Sequence, residues 1–357
     1  MHYRKLGNSG VLVSSLSLGT MQFGRSMNMG GLGQAETTAM VRFALDQGVN
    51  LIDTADVYSR GESETLIGNA TRDVRDRIVL ATKGRLPMSD VDLNHSGATR
   101  KNLIREVEAS LRRLQTDYID LYQVHGWDSL TPLEETLRAL DEMVRSGKVR
   151  YVGLSNYLAW QAATALAVQE RERLTRYITA QMYYSLVGRE LEHEFLSFAE
   201  HHHLGILVWS PLAGGFLSGK YDRQRPPPAG TRFAEAGPFI PFNRDQGYHV
   251  IDVVRRVAER RGATPAQIAI AWLLLRPMVS SVIVAARDNQ RLAENLRAAD
   301  IVLDSDDIQA LDEVSHPGTP YPQWMVRQLD EAEDPRAHAL DPARLRRRDL
   351  RGGRWPG

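Results

Sequence analysis

The chain has 357 residues, 43% hydrophobic and 25% charged, the balance of a globular protein that can bury a sizeable core. Lys plus Arg and Asp plus Glu each number 44, so no net charge would draw it to nucleic acid or to an anionic membrane. The absence of cysteine excludes disulfides, thiolate nucleophiles and cysteine-ligated metal sites.

Neither a signal peptide nor a membrane span is predicted. Polar and glycine residues at 7–10 interrupt the amino-terminal segment, and the longest strongly apolar run, residues 268–275, is too short to cross a bilayer. We therefore expect a soluble, cytoplasmic protein without membrane or nucleic-acid partners. The sequence leaves the oligomeric state open.

Short apolar runs alternate along the chain with longer amphipathic segments, and each run is a candidate for a buried strand. In chain order they are residues 16–19, 50–53, 78–81, 119–122, 148–152, 177–181, 206–209 and 281–284.

The segments between the runs have helical features. Apolar residues recur at helical spacing between the third and fourth runs, at Leu103, Val107, Leu111 and Leu114. The same spacing places Glu106 on the opposite, charged face. A further helix is predicted over residues 132–145, with Thr131 as its N-cap and Pro132 at the first helical position.

Strict alternation of strand and helix implies parallel strands joined by right-handed crossovers, and eight repeats favour a closed barrel. A length of 357 residues fits such a barrel enlarged by insertions. We predict an α/β protein with one (β/α)8 TIM barrel over residues 1–326 and a weakly ordered, charged tail over 327–357. Long loops over 84–97 and 213–247 are expected at its carboxyl-terminal face.

Polar side chains lie just beyond three predicted strands, at Asp53, Tyr58, Lys83 and His125. Each alone could be structural, but in a barrel they converge on one mouth. A Lys83 ammonium would lower the tyrosine pKa from its usual value of about 10, and Asp53 would keep that lysine charged. His125 could donate a hydrogen bond to a substrate oxygen. The set predicts a site for acid-catalysed carbonyl reduction.

Ordered segments of the chain closely resemble the aldo-keto reductase family. They are residues 18–24, 50–58, 61–64, 81–83, 117–125, 153–156, 181–185 and 209–221. The resemblance implies a catalytic tetrad of Asp53, Tyr58, Lys83 and His125. It also implies NADPH as cofactor and an aldehyde or ketone as substrate.

By the same resemblance, Ser155, Asn156 and Gln181 would hold the nicotinamide carboxamide and Trp209 would stack on the nicotinamide ring. The resemblance implies further cofactor contacts with Thr20, Met21, Asp53, Ser210, Pro211, Leu212, Gly214, Leu217, Lys220, Arg232, Ala285, Arg287, Arg291, Glu294 and Asn295. We expect the substrate to meet Phe23 and Trp127 besides Tyr58 and His125.

The chain departs from the family pattern near its last predicted strand. Val284 and Ala285 stand where Pro and Gly are usual, and Arg291 where Gln is common. Arg287 and Arg291 would still offer guanidinium groups to the adenosine 2′-phosphate, so we expect NADPH to be preferred over NADH.

Other functions fit the residues less well. The resemblance extends to the potassium-channel β-subunit branch, a cofactor-binding partner protein, but His125 stands where that branch typically has Asn. An isomerase or aldolase with Lys83 as Schiff-base amine would need a lysine without a carboxylate neighbour. Gly153 to Tyr157 lacks one glycine of a hydrolase nucleophile elbow. The consecutive histidines 201–203 point apart on a helix, so we expect no metal.

Overall fold

The computed structural model describes residues 1–25, 31–221, 223–224 and 240–331. Its strands are β1 (Tyr3–Lys5), β2 (Leu12–Ser14), β3 (Leu16–Gly19), β4 (Leu51–Asp53), β5 (Val79–Gly84), β6 (Ile119–Val124), β7 (Val149–Ser155), β8 (Tyr177–Tyr183), β9 (Gly205–Trp209) and β10 (Val279–Val284). Its helices are α1 (Gln34–Asp46), α2 (Glu62–Thr71), α3 (Arg100–Leu114), α4 (Leu133–Arg145), α5 (Ala159–Arg171), α6 (Phe195–His202), α7 (Arg244–Arg261), α8 (Pro265–Leu274), α9 (Asn289–Leu296), α10 (Ser305–Val314) and α11 (Gln323–Glu331).

Strands β3 to β10 close into a barrel in chain order, and β10 pairs with β3. Every neighbouring pair is parallel. All residues of β3 and β10 are buried, because helices cover the outer face of a parallel barrel while side chains fill its interior. The predicted (β/α)8 barrel and its strand runs are confirmed.

An antiparallel hairpin of β1 and β2, which the apolar pattern did not predict, precedes the barrel. Its Leu6 and Val13 are fully buried in one cluster with Leu51, Leu121 and Leu207 from three barrel strands. Arg4 also donates from Nη1 to the carbonyl oxygen of Val279 at 2.6 Å. The hairpin therefore closes the amino-terminal end of the barrel.

Two local predictions were wrong. Helix α4 begins at Leu133, and Pro132 is its N-cap with extended backbone, because the Thr131 hydroxyl donates to Asp128 Oδ2 at 2.6 Å instead of capping the helix. Glu106, placed by helical spacing on the charged face of α3, is fully buried. Its carboxylate lies 2.5 Å from Nε2 of His95, a partner that periodicity does not reveal.

The chain forms two compact units, Met1–Pro317 and Gly318–Gly357. Most of the predicted tail, residues 332–357, lies outside the described residues, so its weak order stays a prediction. Residues 222 and 225–239 of the second predicted loop also lie outside the described residues. Among the described helices, none combines the length and apolar character needed to cross a bilayer.

A buried ion network holds α10 against α8. Asp312 Oδ1 accepts from Trp272 Nε1 at 2.8 Å and from Arg276 Nη2, and it lies 3.5 Å from Arg189 Nη1. The arginine side chains are each only 6% exposed, so water competes little for their contacts with Asp312.

Replacing Asp312 with Ala leaves buried guanidinium charge without its carboxylate. We expect the free energy of unfolding, measured by urea denaturation, to fall by about 3–5 kcal/mol. Glu108→Ala, which removes one member of the exposed pair with Lys148, should change it little. Equal losses in the two variants would contradict the importance of the buried network.

Candidate active site

The four predicted catalytic residues meet at the carboxyl-terminal end of the barrel. Asp53 ends β4, Lys83 lies in β5 and His125 directly follows β6. Lys83 Nζ lies 2.7 Å from Asp53 Oδ2 and 3.5 Å from the Tyr58 hydroxyl. The Tyr58 and His125 rings face each other edge-on, with centroids 6.0 Å apart. A continuous series of contacts thus joins all four side chains.

Lys83 is fully buried, and its charge is stabilised by its neighbours. Burial alone would lower its pKa, but the Asp53 carboxylate and the Tyr58 hydroxyl outweigh that cost and raise the pKa above its ordinary value. Lys83 Nζ also donates to the carbonyl oxygen of Thr54 at 2.7 Å. Lys83 is therefore an ammonium, fixed in direction by three oxygen atoms.

The net pKa direction of Tyr58 differs from the sequence expectation. Burial raises the pKa of the phenol, and the Lys83 ammonium lowers it without fully offsetting burial. The Asp53 carboxylate adds to the increase. The expected effect of Lys83 is present, but desolvation exceeds it, so Tyr58 keeps its proton and can act as a hydrogen-bond or proton donor.

His125 is a neutral imidazole. Burial lowers its pKa to about 3, and the positive charges of Lys83 and Arg85 act in the same direction. Its backbone N–H donates to the carbonyl oxygen of Gly84 at 3.0 Å. Nδ1 has no hydrogen-bond partner among the described residues. A neutral ring of this kind can donate one N–H to a substrate oxygen.

Two amide side chains inside the barrel hold Asp53. Gln181 Nε2 donates to Asp53 Oδ1 at 2.7 Å, and Gln123 Nε2 approaches the same oxygen at 3.5 Å. Gln123 is fully buried and was missed by sequence reasoning. The available signal was a polar residue in the middle of an apolar strand run, two positions before His125.

The residues expected around the nicotinamide form one connected group. Asn156 Nδ2 donates to Ser155 Oγ at 3.1 Å, and its Oδ1 accepts from Trp209 Nε1 at 3.0 Å. Ser155 Oγ donates to the carbonyl oxygen of Gln181 at 3.0 Å. The Trp209 ring also packs on Tyr183, with centroids 5.2 Å apart. Strands β7, β8 and β9 thus present amide groups and an indole side by side.

Backbone strain is concentrated at this end of the barrel. Non-glycine residues with positive φ follow β4, β5, β7 and β9; they are Ser59, Arg60, Arg85, Asn156, Ser210 and Ala213. L-residues rarely adopt this region, and such strain persists where surrounding contacts enforce it, most often at functional sites. Contacts with the surrounding structure, and not only the local backbone preferences of these residues, therefore fix the conformation at the strand ends.

The segment after β9 combines a tight glycine turn with a cationic side chain. Gly214 has φ +67°, and its backbone N–H donates to Ser210 Oγ at 3.2 Å. Burial lowers the pKa of Lys220, and the charges of Arg287 and Arg291 lower it further. The positive charges of the two arginines therefore reach Lys220, and an anion bound near Lys220 would be stabilised.

The remaining predicted cofactor residues lie around these groups. Thr20 Oγ1 donates to the Asp53 carbonyl oxygen at 3.0 Å, and Met21 beside it is half-buried. Arg291 pairs with Glu294 at 2.8 Å, and Asn295 Nδ2 approaches the carbonyl oxygen of Ala285 at 3.5 Å. Pro211 and Leu217 are buried and Leu212 is half-buried. Arg232 lies outside the described residues.

The two predicted substrate contacts differ in exposure. Phe23 is fully buried in the main hydrophobic core, whereas Trp127 is half-buried. The Trp127 ring packs edge-on against Tyr157, with centroids 5.3 Å apart, and lies 5.7 Å from Trp160. Trp127 therefore offers aromatic surface beside His125, and Phe23 does not.

A buried acidic cluster lies behind the segment that carries Tyr58. Asp56, Glu64 and Glu106 are all fully buried, and Arg113 pairs closely with Glu64, at 2.6 Å. Asp56 Oδ2 has no hydrogen-bond partner among the described residues. Burial raises the pKa of Asp56 well above its ordinary value, and the neighbouring glutamates raise it further. Burial and the neighbouring carboxylates therefore favour the protonated form of Asp56.

Comparison with known proteins finds one matching family and several similar chains. A family model described as "Aldo/keto reductase family" matches residues 15–316. The chain is 36% identical over 326 residues to the uncharacterised oxidoreductase YrpG of Bacillus subtilis, covering 88% of this chain and 96% of that protein. It is 33% identical over 347 residues to versiconal hemiacetal acetate reductase of Aspergillus parasiticus, covering 89% and 99%. It is also 36% identical over 313 residues to a probable voltage-gated potassium channel subunit beta of Arabidopsis thaliana, covering 85% and 92%.

The raised pKa of Asp56 predicts a pH-dependent effect of Asp56→Asn. Above the ordinary pKa of 3.8 the unfolded chain loses this proton while the folded chain keeps it. In the wild type this difference costs about 1.4 kcal/mol of stability per pH unit until the folded group also ionises. Asparagine mimics the neutral acid and does not titrate, so the variant should gain stability relative to wild type as pH rises from 5.

Melting temperatures measured from pH 5 to 8 would show the effect. Asp46→Asn, at an exposed position of α1, is the control and should keep a constant difference from wild type. A difference between Asp56→Asn and wild type that does not change with pH would mean that Asp56 is ionised throughout.

Proposed function

Because the chain belongs to the aldo/keto reductase family and is an oxidoreductase, we propose that it reduces an aldehyde or ketone with NADPH, with Tyr58 as proton donor. One observation carries the proposal. The Lys83 ammonium is bonded to Asp53 and lies 3.5 Å from the hydroxyl of a protonated Tyr58, beside a neutral His125.

Each residue of the site has a separate role in the proposed reduction. The cofactor, when bound, supplies a hydride for the carbonyl carbon. Tyr58 then gives its proton to the developing alkoxide, and the adjacent Lys83 ammonium stabilises the phenolate that remains. Asp53 holds Lys83 in place. In the reverse direction the Tyr58 phenolate accepts the proton of an alcohol.

His125 polarises the carbonyl group. As a neutral imidazole it donates an N–H to the substrate oxygen, and the partial negative charge that grows on this oxygen strengthens the bond. Since the pKa is about 3, the ring does not titrate near neutral pH. His125 thereby fixes the oxygen next to Tyr58, with Trp127 as aromatic surface beside it.

The cofactor-binding residues are assigned by the groups they present. Ser155, Asn156 and Gln181 would hold the carboxamide, and Trp209 would stack on the nicotinamide. The larger group from Thr20 to Asn295 described above would border the rest of the cofactor, with the pyrophosphate near Gly214. The charges of Arg287 and Arg291 reach Lys220, and this positive charge supports binding of the phosphates there.

Two alternatives are disfavoured by the same geometry. The similarity to a potassium channel subunit beta supports a partner-binding role, but His125 supplies the hydrogen-bond donor that carbonyl reduction needs. A Schiff-base mechanism requires a neutral Lys83 amine, and the Asp53 carboxylate at 2.7 Å favours the ammonium. A cytoplasmic location remains part of the proposal.

A panel of carbonyl compounds tests the function directly. Aryl aldehydes, keto sugars and polycyclic ketones are offered with NADPH, and loss of its absorbance is followed. Turnover of at least one class is expected. No turnover of any class, with cofactor binding intact, would favour the partner-binding alternative.

Replacing Tyr58 with Phe removes the proposed proton donor. We expect kcat to fall by about 10²- to 10⁴-fold, because a general acid contributes on this scale, while cofactor affinity stays nearly unchanged. Steady-state kinetics and cofactor titration measure the two effects separately. Tyr118→Phe, which removes a hydroxyl 3.4 Å from Asp76, is the control. Near-normal turnover of Tyr58→Phe would refute the mechanism.

A preference for NADPH over NADH should depend on Arg287 and Arg291. Charge-assisted bonds to the 2′-phosphate predict a dissociation constant about 10- to 150-fold lower for NADPH. Titration of tryptophan fluorescence with each cofactor measures the ratio, since Trp209 lies in the proposed site. Arg287→Ala should reduce the ratio of the two dissociation constants, whereas Arg256→Ala, at an exposed position of α7, should leave this ratio unchanged. Equal constants in the wild type would overturn the preference.

A further inference from the structure

The chain leaves the barrel at Arg85, directly beside His125. It follows Gly84, the last residue of β5, whose carbonyl oxygen accepts the backbone N–H of His125 at 3.0 Å. Arg85 has φ +130°, a conformation that L-residues rarely adopt. Its own carbonyl oxygen accepts from Gly97 N at 2.8 Å, which helps to hold this strained backbone. The backbone thus fixes the direction in which the side chain leaves.

The guanidinium of Arg85 is held by a neutral group and not by a carboxylate. Nη2 donates to the carbonyl oxygen of Trp127 at 2.9 Å. In the described part of the chain, no carboxylate oxygen forms an ion pair with Arg85, and its buried Nε has no acceptor. Some other arginines with buried or half-buried side chains pair with carboxylates: Arg113 with Glu64 at 2.6 Å and Arg189 with Glu192 at 2.8 Å.

Asp128 does not form an ion pair with Arg85 within the described residues. It is near enough to interact electrostatically with Arg85, but its oxygens already accept hydrogen bonds from its own loop and from the start of α3. Oδ2 accepts from Ala98 N at 2.7 Å and from Thr131 Oγ1 at 2.6 Å. Oδ1 accepts from Leu130 N at 3.0 Å. Among the described residues the Arg85 guanidinium donates only the bond from Nη2 to Trp127, so its terminal nitrogens keep N–H groups for which these residues supply no acceptor.

The surroundings of Arg85 combine positive charge with flat apolar surface. Its charge reaches the imidazole of His125, which places it near the carbonyl site. The ring of Trp127, whose carbonyl oxygen it binds, packs against Tyr157 and Trp160, and Trp160 is 57% exposed. A ligand seated at His125 would therefore meet a guanidinium and aromatic faces together.

We propose that Arg85 is an anion-binding residue of the substrate site, and that the preferred carbonyl substrates carry a carboxylate on a flat apolar framework. The inference rests on the proposed carbonyl reduction and specifies the class of its substrate. Arg offers a planar fork of donors that matches a carboxylate, so the contact would lower KM for anionic substrates.

Matched acid and ester substrates test the proposal. The probes are 3-formylbenzoate and 4-formylbenzoate, each compared with its neutral methyl ester. The wild type should show a lower KM for at least one acid than for its ester. In Arg85→Gln the KM for that acid should rise about 10- to 100-fold, as expected for losing a charge-assisted contact, and the KM for the ester should change little. Arg85→Lys, which keeps the charge without the fork, should be intermediate.

Arg60→Gln is the matched control. Arg60 also has positive φ, +54°, and stands near Tyr58, but its guanidinium already pairs with Asp90 at 3.1 Å. This variant should leave the ratio of acid to ester KM unchanged. A general distortion of the mouth in Arg85→Gln would instead raise the KM of acid and ester alike, which would contradict the proposal.

Calorimetric titration separates failure of this inference from failure of the proposed function. Benzoate and benzamide are titrated into the wild type and Arg85→Gln, with and without NADP⁺. Tighter binding of benzoate that is lost in Arg85→Gln would support the anion site even if no carbonyl compound were reduced. Equal binding of benzoate and benzamide, or acids and esters reduced with equal KM, would overturn it.

Discussion

The buried pair of Lys83 and Asp53 is the interaction on which the rest of the site depends. A lysine without solvent exposure is tolerated only when its charge is compensated, because an unpaired ammonium in a barrel interior would be costly to desolvate. Asp53 supplies that compensation, and Gln181 donates to its second oxygen. Strands β4, β5 and β8 are therefore linked by one charged group, and the position of Tyr58 is defined relative to it.

The same burial sets the protonation states of the other two residues. It raises the pKa of Tyr58 and lowers that of His125 to about 3, so both groups are neutral hydrogen-bond donors near physiological pH. The Lys83 ammonium lies 3.5 Å from the Tyr58 hydroxyl, and it favours the negative charge that develops on that oxygen when Tyr58 gives up its proton. A strained set of strand ends holds these donors in place. The hairpin of β1 and β2 closes the opposite, amino-terminal end of the barrel, so in the described part of the chain only the carboxyl-terminal end is open to a ligand.

Several cationic side chains lie at or near the strand ends of this face. Lys220 lies within electrostatic range of Arg287 and Arg291, and Arg85 is held by a backbone carbonyl. Surface arginines such as Arg100 and Arg138 are instead paired with glutamates. A guanidinium that is held by a carbonyl group, as at Arg85, can gain a charge-assisted contact when an anion binds.

The sequence by itself determined the strands, their parallel order and the place of Asp53, Lys83 and His125 at the strand ends, because burial on both faces leaves a continuous apolar run that stops where the chain reaches the mouth. The tertiary structure decided which other residues these side chains contact. Helical spacing placed Glu106 on a charged face, but the fold buries that side chain against His95. The sequence suggested that Lys83 lowers the pKa of Tyr58, and burial reversed the net direction. Periodicity reports which residues share a face, whereas desolvation and pairing depend on distant segments brought together by folding.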